Sequence, residues 1–307
     1  ARSKLPRIVR LMDFRESSQP AYPGAALDSW DGVLGGYRPK RLGIAGWHLV
    51  PHAIFENIRD AFPGMEIVNA DEIVRSVMRT KSPAELNCLR EAARISELGF
   101  KAVLENIREG LTEVQLCGIA TEAMLRNGAE ATGYPIWCCS GPNSTQAISR
   151  PTHRKVQKGE VIHFSIGAKV AGYSASVGRP VVLGNCPTEL RKFLQVGLDA
   201  MEMTIDLMRA GSISGDVAKK VHGWITQQGY GDTILYGPAH GCGQMECEFP
   251  FLESSSTFVL EENMAFMVDV FLAGESSGFR WEDGIIVRDG AAEQLSSYAR
   301  KLNILEV

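Results

Sequence analysis

Three residues late in the chain are of types that move protons or bind metals. They are His240 in Ala239-His240-Gly241-Cys242-Gly243, Asp269 in Met267-Val268-Asp269-Val270, and Glu282 in Arg280-Trp281-Glu282-Asp283. An imidazole with two carboxylates forms an acceptable triad for one divalent cation with positions left open. It also handles protons directly, because two close carboxylates push one pKa up and leave that group able to take a proton from water. A structural ion pair with Arg280 is the competing role for either carboxylate. His240, Asp269 and Glu282 are therefore the expected catalytic residues.

These side chains need a scaffold, and its elements are legible in the local pattern. Ser82-Pro83-Ala84-Glu85 is a capping box with proline at the first helical position, opening an amphipathic helix that runs to about Glu109 and stops at Gly110. Thr112-Glu113-Val114-Gln115 opens a second helix in the same way, ending at Gly128, before a strand over Tyr134 to Cys139. Val161 to Gly167 and Tyr173 to Leu183, joined through Ala171-Gly172, predict a hairpin. Helices follow over Glu189 to Arg209 and Asp216 to Gln228, then strands near Ala265 to Phe271 and Gly284 to Val287. Antiparallel strands mixed with two helix pairs indicate α+β. Upstream, Arg7 to Met12, Arg41 to Ala45 and Met65 to Val68 read as strands, His52 to Ala61 as a helix, and Ser17 to Gly36 as loop. Two strand–helix pairs are few for a doubly wound sheet, so this α/β part is expected to be cut short at its N-terminus.

At 307 residues, with 45% hydrophobic and 22% charged, the chain fits one large or two smaller globular domains. A net charge of −4 without any Lys/Arg run disfavours a nucleic-acid partner. No apolar stretch reaches membrane-spanning length, and no signal peptide is visible. Seven cysteines, an odd count with no C-x-x-C pair, read as reduced thiols in a cytoplasm.

Arg79 to Leu86, Lys155-Val156-Gln157-Lys158-Gly159-Glu160, the Gly172-Tyr173 hairpin, His240-Gly241-x-Gly243, Glu248-x-Pro250 and Arg280-x-Glu282-Asp283 occur in one order. Each is weak alone; in register over one domain they resemble peptidase family M24, the prolidase, aminopeptidase P and creatinase group. The resemblance covers residues 72 to 290. It implies a pita-bread domain over residues 80–307, preceded over 1–79 by a partial, smaller α/β domain of creatinase type. It also implies a homodimer. In the family's metallopeptidases two ions share two aspartates, a histidine and two glutamates. By position the aspartates fall on Ser165 and Ser176, the histidine on His240, and the glutamates on Asp269 and Glu282. The family's His-Glu-x-Pro reads Cys247-Glu248-Phe249-Pro250, and a further active-site histidine falls near Ile148, with His153 offset in the same loop.

Charge then decides between readings. Two divalent ions bring four positive charges, and Asp269 with Glu282 answers only two of them. Leaving the rest uncompensated in a partly dry site costs about several kcal/mol. Serine hydroxyls are poor ligands besides. The expectation is a site without metal; the alternative is one divalent ion (Mn, Zn or Fe) on His240, Asp269 and Glu282. Creatinase, which resembles this chain, works without metal. The first reading is thus a creatinase-like, metal-independent hydrolase cleaving a C–N bond of a small nitrogen compound. Ser165, Ser176, Cys247, Glu248 and Arg280 are expected to contact substrate. Creatinase's acid/base histidine falls at Ile148, however, and a glutamate it carries falls at Gly178, so creatine itself fits poorly. The alternative is an Xaa-Pro aminopeptidase or dipeptidase with a short-peptide substrate and at most one ion. A second is a non-catalytic pita-bread binding protein, though such relatives carry long charged extensions that this chain lacks.

Overall fold

The computed structural model describes residues 34–306. The strand expected over Arg7 to Met12, and most of the loop expected over Ser17 to Gly36, lie outside them. The chain divides into two compact units between Ser76 and Val77. In the first, β1 (Arg41–Ile44) and β2 (Glu66–Asn69) pair in parallel and α1 (His52–Ala61) connects them. A further helix, α2 (Asp71–Arg79), which the pattern reading did not place, runs across the division and has no buried residue.

The second unit opens with the two capped helices. Ser82 accepts a hydrogen bond from the Glu85 N–H while the Glu85 carboxylate accepts one from the Ser82 N–H, which starts α3 (Pro83–Asn106). Thr112 and Gln115 close the same reciprocal cap at α4 (Glu113–Arg126). Between these helices the chain turns at Gly110, whose φ of +88° is open to glycine at no steric cost. Short strands β3 (Ala131–Thr132) and β4 (Trp137–Ser140) lead into the hairpin of β5 (Val161–Val170) and β6 (Tyr173–Leu183). The helix pair α5 (Thr188–Leu207) and α6 (Ser214–Gln227) follows. After it come β7 (Ala239–Gly241), β8 (Glu248–Leu252), β9 (Ala265–Ala273), β10 (Gly278–Ile286), β11 (Glu293–Gln294) and β12 (Asn303–Leu305).

These strands form one sheet with the order β3-β5-β6-β10-β9-β7-β8; β4 pairs with β5, β11 with β10 and β12 with β6. Helix α3 packs on β5 and β6, and α5 packs on β9 and β10, so each hairpin carries its own helix pair. The two largest apolar cores follow this division. One holds Phe100, Leu116, Phe164 and Ile166 under α3 and α4, the other Leu194, Met201, Phe266 and Trp281 under α5 and α6. Strand β10 begins six residues earlier than the pattern predicted. Arg280, Glu282 and Asp283 look like loop, yet all are buried strand residues, Arg280 paired with Asp269 and Asp283 with Arg179 and Arg300.

One buried group gives the fold an acid-sensitive element. His163, on β5, is fully buried edge-on against Phe271, and neither ring nitrogen makes a well-formed hydrogen bond. Burial, and then the nearby Arg280 charge, hold its pKa down at about 3. The folded ring stays neutral where the unfolded one, near 6.5, is protonated, so its contribution is complete above pH 6.5 and is lost as pH falls toward 3. The expected loss from this residue alone is about 1.4 kcal/mol per pH unit. Urea denaturation of His163→Leu at stepped pH should show a shallower decline than the native chain; parallel curves would exclude His163 as the cause.

Candidate active site

Cross-strand register brings the site together. Asp269 on β9 lies opposite Glu282 on β10, Glu282 lies opposite Gly178 on β6, and Ser165 on β5 also faces Gly178. Opposed residues of antiparallel strands share a face, as do residues two apart on one strand. Ser165, Ser176, Asp269, Arg280 and Glu282 therefore project together, and His240 arrives from β7, which pairs with β9. Gly178 makes the room. A Cβ there would lie 2.6 Å from the Cβ of Glu282, so the glutamate expected of creatinase at this position has no space.

The carboxylates separate into two groups. Asp269 is held by its cationic neighbour: Arg280 Nε lies 3.2 Å from Oδ1, and the Tyr236 hydroxyl donates to Oδ2 at 2.8 Å. Arg280 also donates to the Tyr236 hydroxyl and to the Ala147 carbonyl, and its guanidinium stacks 4.4 Å from the Trp137 ring centre. Oδ2 is thus hydrogen-bonded, while Oδ1 faces the Arg280 charge without a hydrogen bond of its own. Glu282 accepts a hydrogen bond from Ser165, which is itself hydrogen-bonded to Tyr134, while its Oε1 finds no donor. The second carboxylate beside Glu282 comes from Glu246, in the loop between β7 and β8, to which Ser176 donates at 3.0 Å. His240 Nε2 is 4.0 Å from that same Glu246 oxygen.

His240, Glu246 and Glu282 are buried and offer ligand atoms that all lie within 4.8 Å of one another. His240 Nδ1 lies 3.0 Å from the Gly241 carbonyl, which can only accept, so Nδ1 carries the hydrogen and the lone pair of the neutral ring is on Nε2. Burial, and then the charge of Glu246, push the Glu282 pKa up to about 7. Burial and then the Asp269 charge likewise raise Glu246, although its contact with Glu282 and the Ser176 hydrogen bond oppose the rise. Asp269 is raised by burial first, against the pull of Arg280. At His240 burial works against the charged ring, but hydrogen bonding to Cys247 and nearby negative charge lift it to about 9. Two like carboxylates in contact stay ionised together only beside a positive charge, which the protonated His240 ring supplies at neutral pH. An ion bound by Nε2 and the two glutamates would supply that charge and displace the imidazole proton. The donor set, one imidazole and two carboxylates, fits one divalent ion.

The remaining expected residues lie as follows. Cys247 is exposed and lines the cavity beside His240 and Glu246. Glu248 is turned away, 2.7 Å from the buried Lys81 Nζ, and is not part of the cavity wall. Ile148 is 73% exposed and forms part of the wall, while His153 is exposed elsewhere. The cavity holds about 540 Å³, with Tyr134, Trp137, Met245 and Phe251 among its walls. Glu246 is the residue that pattern reading missed. Its only signal was an acidic side chain in the short segment between the His240 and Cys247 motifs.

Residues 87–289 match metallopeptidase family M24. An Xaa-Pro dipeptidase of Lactobacillus delbrueckii subsp. lactis is 25% identical over 98% of this chain and 89% of its own. A creatinase of a Bacillus species is 25% identical over 86% of this chain and 68% of its own. The crystal structure of a prolidase from Thermococcus sibiricus superposes with a TM-score of 0.83 at 26% identity, covering 88% of this chain and 73% of that one. The pita-bread architecture is therefore shared. No described helix is long and apolar enough to cross a membrane.

These findings overturn the expectation of a site without metal. The matching family is one of metallopeptidases, its curated relatives here are chiefly Xaa-Pro dipeptidases, and a buried trio of possible ligands includes His240 and Glu246 of the cavity wall. The charge count behind that expectation omitted Glu246 and counted Asp269, whose charge Arg280 already answers.

Proposed function

Because the chain belongs to metallopeptidase family M24, we propose that it is a hydrolase of short peptides of the Xaa-Pro type, with one divalent ion held by His240, Glu246 and Glu282. The observation that carries this reading is the buried trio, whose ligand atoms lie within 4.8 Å of one another. When bound, such an ion lowers the pKa of a water and polarises a carbonyl oxygen.

The chain's own residues would do the rest. Ser165 and Ser176 donate to Glu282 and Glu246 and so fix which oxygens remain for binding. The Gly241 carbonyl fixes the His240 ring in the tautomer that turns its lone pair inward. Burial raises both Glu246 and Glu282 above the ordinary carboxylate range, so the charge of an ion held between them would be what keeps them ionised. Arg280, Asp269 and Tyr236 hold one wall of the cavity rigid. Trp137, Ile148 and Phe251 give the substrate an apolar surface in a space of a few-residue peptide's size. Creatine hydrolysis is disfavoured by the crowding at Gly178 and by the isoleucine at position 148.

Metal analysis with an activity assay tests the reading. Protein stripped with chelator and re-equilibrated with manganese or zinc should hold one ion per chain. Hydrolysis of Xaa-Pro dipeptides should vanish on stripping and return with the ion. Undiminished turnover in excess chelator, or no ion retained, would sink the proposal.

A further inference from the structure

We infer that Lys169 fixes where the substrate ends: its ammonium pairs with the free terminal carboxylate of the peptide, so the site favours two-residue peptides over amidated or longer ones. The inference deepens the proposed function and rests on it, since it takes the trio as the place where the scissile bond lies.

Strand alternation sets the lysine on the face of the site. Ser165, Gly167 and Lys169 occupy alternate positions of β5, whose pairing with β6 runs unbroken from Val161 to Val170, so the three share one face. Ser165 stands at the inner end of this row, hydrogen-bonded to Glu282. Tyr134 covers the middle. Its hydroxyl is hydrogen-bonded to Ser165, and its ring packs so closely on Gly167 that a Cβ there would lie 2.8 Å from Cε1. Lys169 stands at the outer end, opposite Ala131 of β3, and lines the same cavity as Tyr134, Trp137, His240 and Glu246.

The lengths agree. Four residues of strand put Lys169 about 13 Å from Ser165 along β5. An extended two-residue peptide spans about 7 Å, and the flexible four-carbon stem of a lysine covers the rest. A longer peptide would carry its carboxylate past the ammonium. Charge supports the same assignment. Other charged groups of the wall are already engaged: Asp269 faces Arg280, Glu246 accepts from Ser176, and Glu253 accepts from the Gly237 N–H at 3.3 Å. Lys169 is half-buried, and among the described residues its side chain makes no hydrogen bond or ion pair. An ammonium without a partner, set in a wall with the aromatic rings of Tyr134 and Trp137, offers a carboxylate a charge-assisted hydrogen bond at one end of the cavity.

Kinetics on the metal-loaded chain with alanylproline and its C-terminal amide test this. The acid should show a KM about tenfold below that of the amide, the effect of one charge-assisted hydrogen bond at a half-exposed site. Lys169→Met should bring the two substrates level through KM, with kcat for the acid little changed, and Lys169→Arg should keep most of the preference. Molar salt should shrink the preference of the native chain, because a half-exposed charge is screened. Calorimetry on the stripped chain gives a readout without turnover, and the acid should bind about tenfold more tightly than the amide. Acid and amide treated alike by the native chain, or a preference that survives Lys169→Met, overturns the role of Lys169 and leaves the peptidase reading standing. A native chain that hydrolyses neither peptide overturns both.

Discussion

Exchange of either Glu246 or Glu282 for glutamine is expected to leave the protein unable to retain its ion and to bring dipeptide hydrolysis to background. An amide keeps the shape and the hydrogen bond from Ser176 or Ser165 but removes the charge that balances a divalent cation. Affinity should fall by at least roughly 100-fold, since even groups that merely orient ligands are worth about 10- to 100-fold. Folding should be unharmed or improved, because each substitution relieves repulsion between two buried carboxylates whose pKa values are both raised. Asp269→Asn is the contrasting variant. It strips the buried Arg280 of its partner, which costs about 3–5 kcal/mol for an orphaned buried charge, yet the ion should remain at one per chain. Metal content of the purified variants, read beside thermal denaturation, separates these outcomes. Retention of metal by Glu246→Gln with its loss from Asp269→Asn would return the site to His240, Asp269 and Glu282.

A second large effect is expected far from the cavity in sequence. Lys81→Met should destabilise the second unit by about 3–5 kcal/mol, because it leaves the Glu248 carboxylate buried with no countercharge. Loss of the anchor should also free residues 243–247, lowering ion affinity although no ligand is altered. The double variant Lys81→Met, Glu248→Leu removes the stranded charge and should recover much of the stability. The loop should not regain its position, so ion binding should stay weak. Denaturant titration and metal analysis on both variants provide the check. Equal stability of the single and double variants would show that the pair does not carry the cost assigned to it.

Legibility in the sequence varied by element, and for identifiable reasons. Ser82 and Thr112 announced their helices because a capping box is a local motif complete within four residues. The β5–β6 hairpin was equally plain, with Ala171 and Gly172 at positive φ in its turn. Strand β10 was not. Its Arg280, Glu282 and Asp283 break the apolar alternation that marks a strand. Two of those charges are met from other parts of the chain, Asp283 by Arg179 and Arg300 and Arg280 by Asp269.

By itself the sequence determined the family scaffold and the placement of His240 and Glu282 in one constellation. Those features are carried by short motifs and by their order, which chain chemistry displays directly. Tertiary structure alone decided which second carboxylate faces Glu282. Asp269 was neutralised by Arg280 across a strand pair, and Glu246 was brought in by a loop tethered through a pair 167 residues apart in the chain. Charge acts through distance and burial, and neither quantity is written in residue spacing.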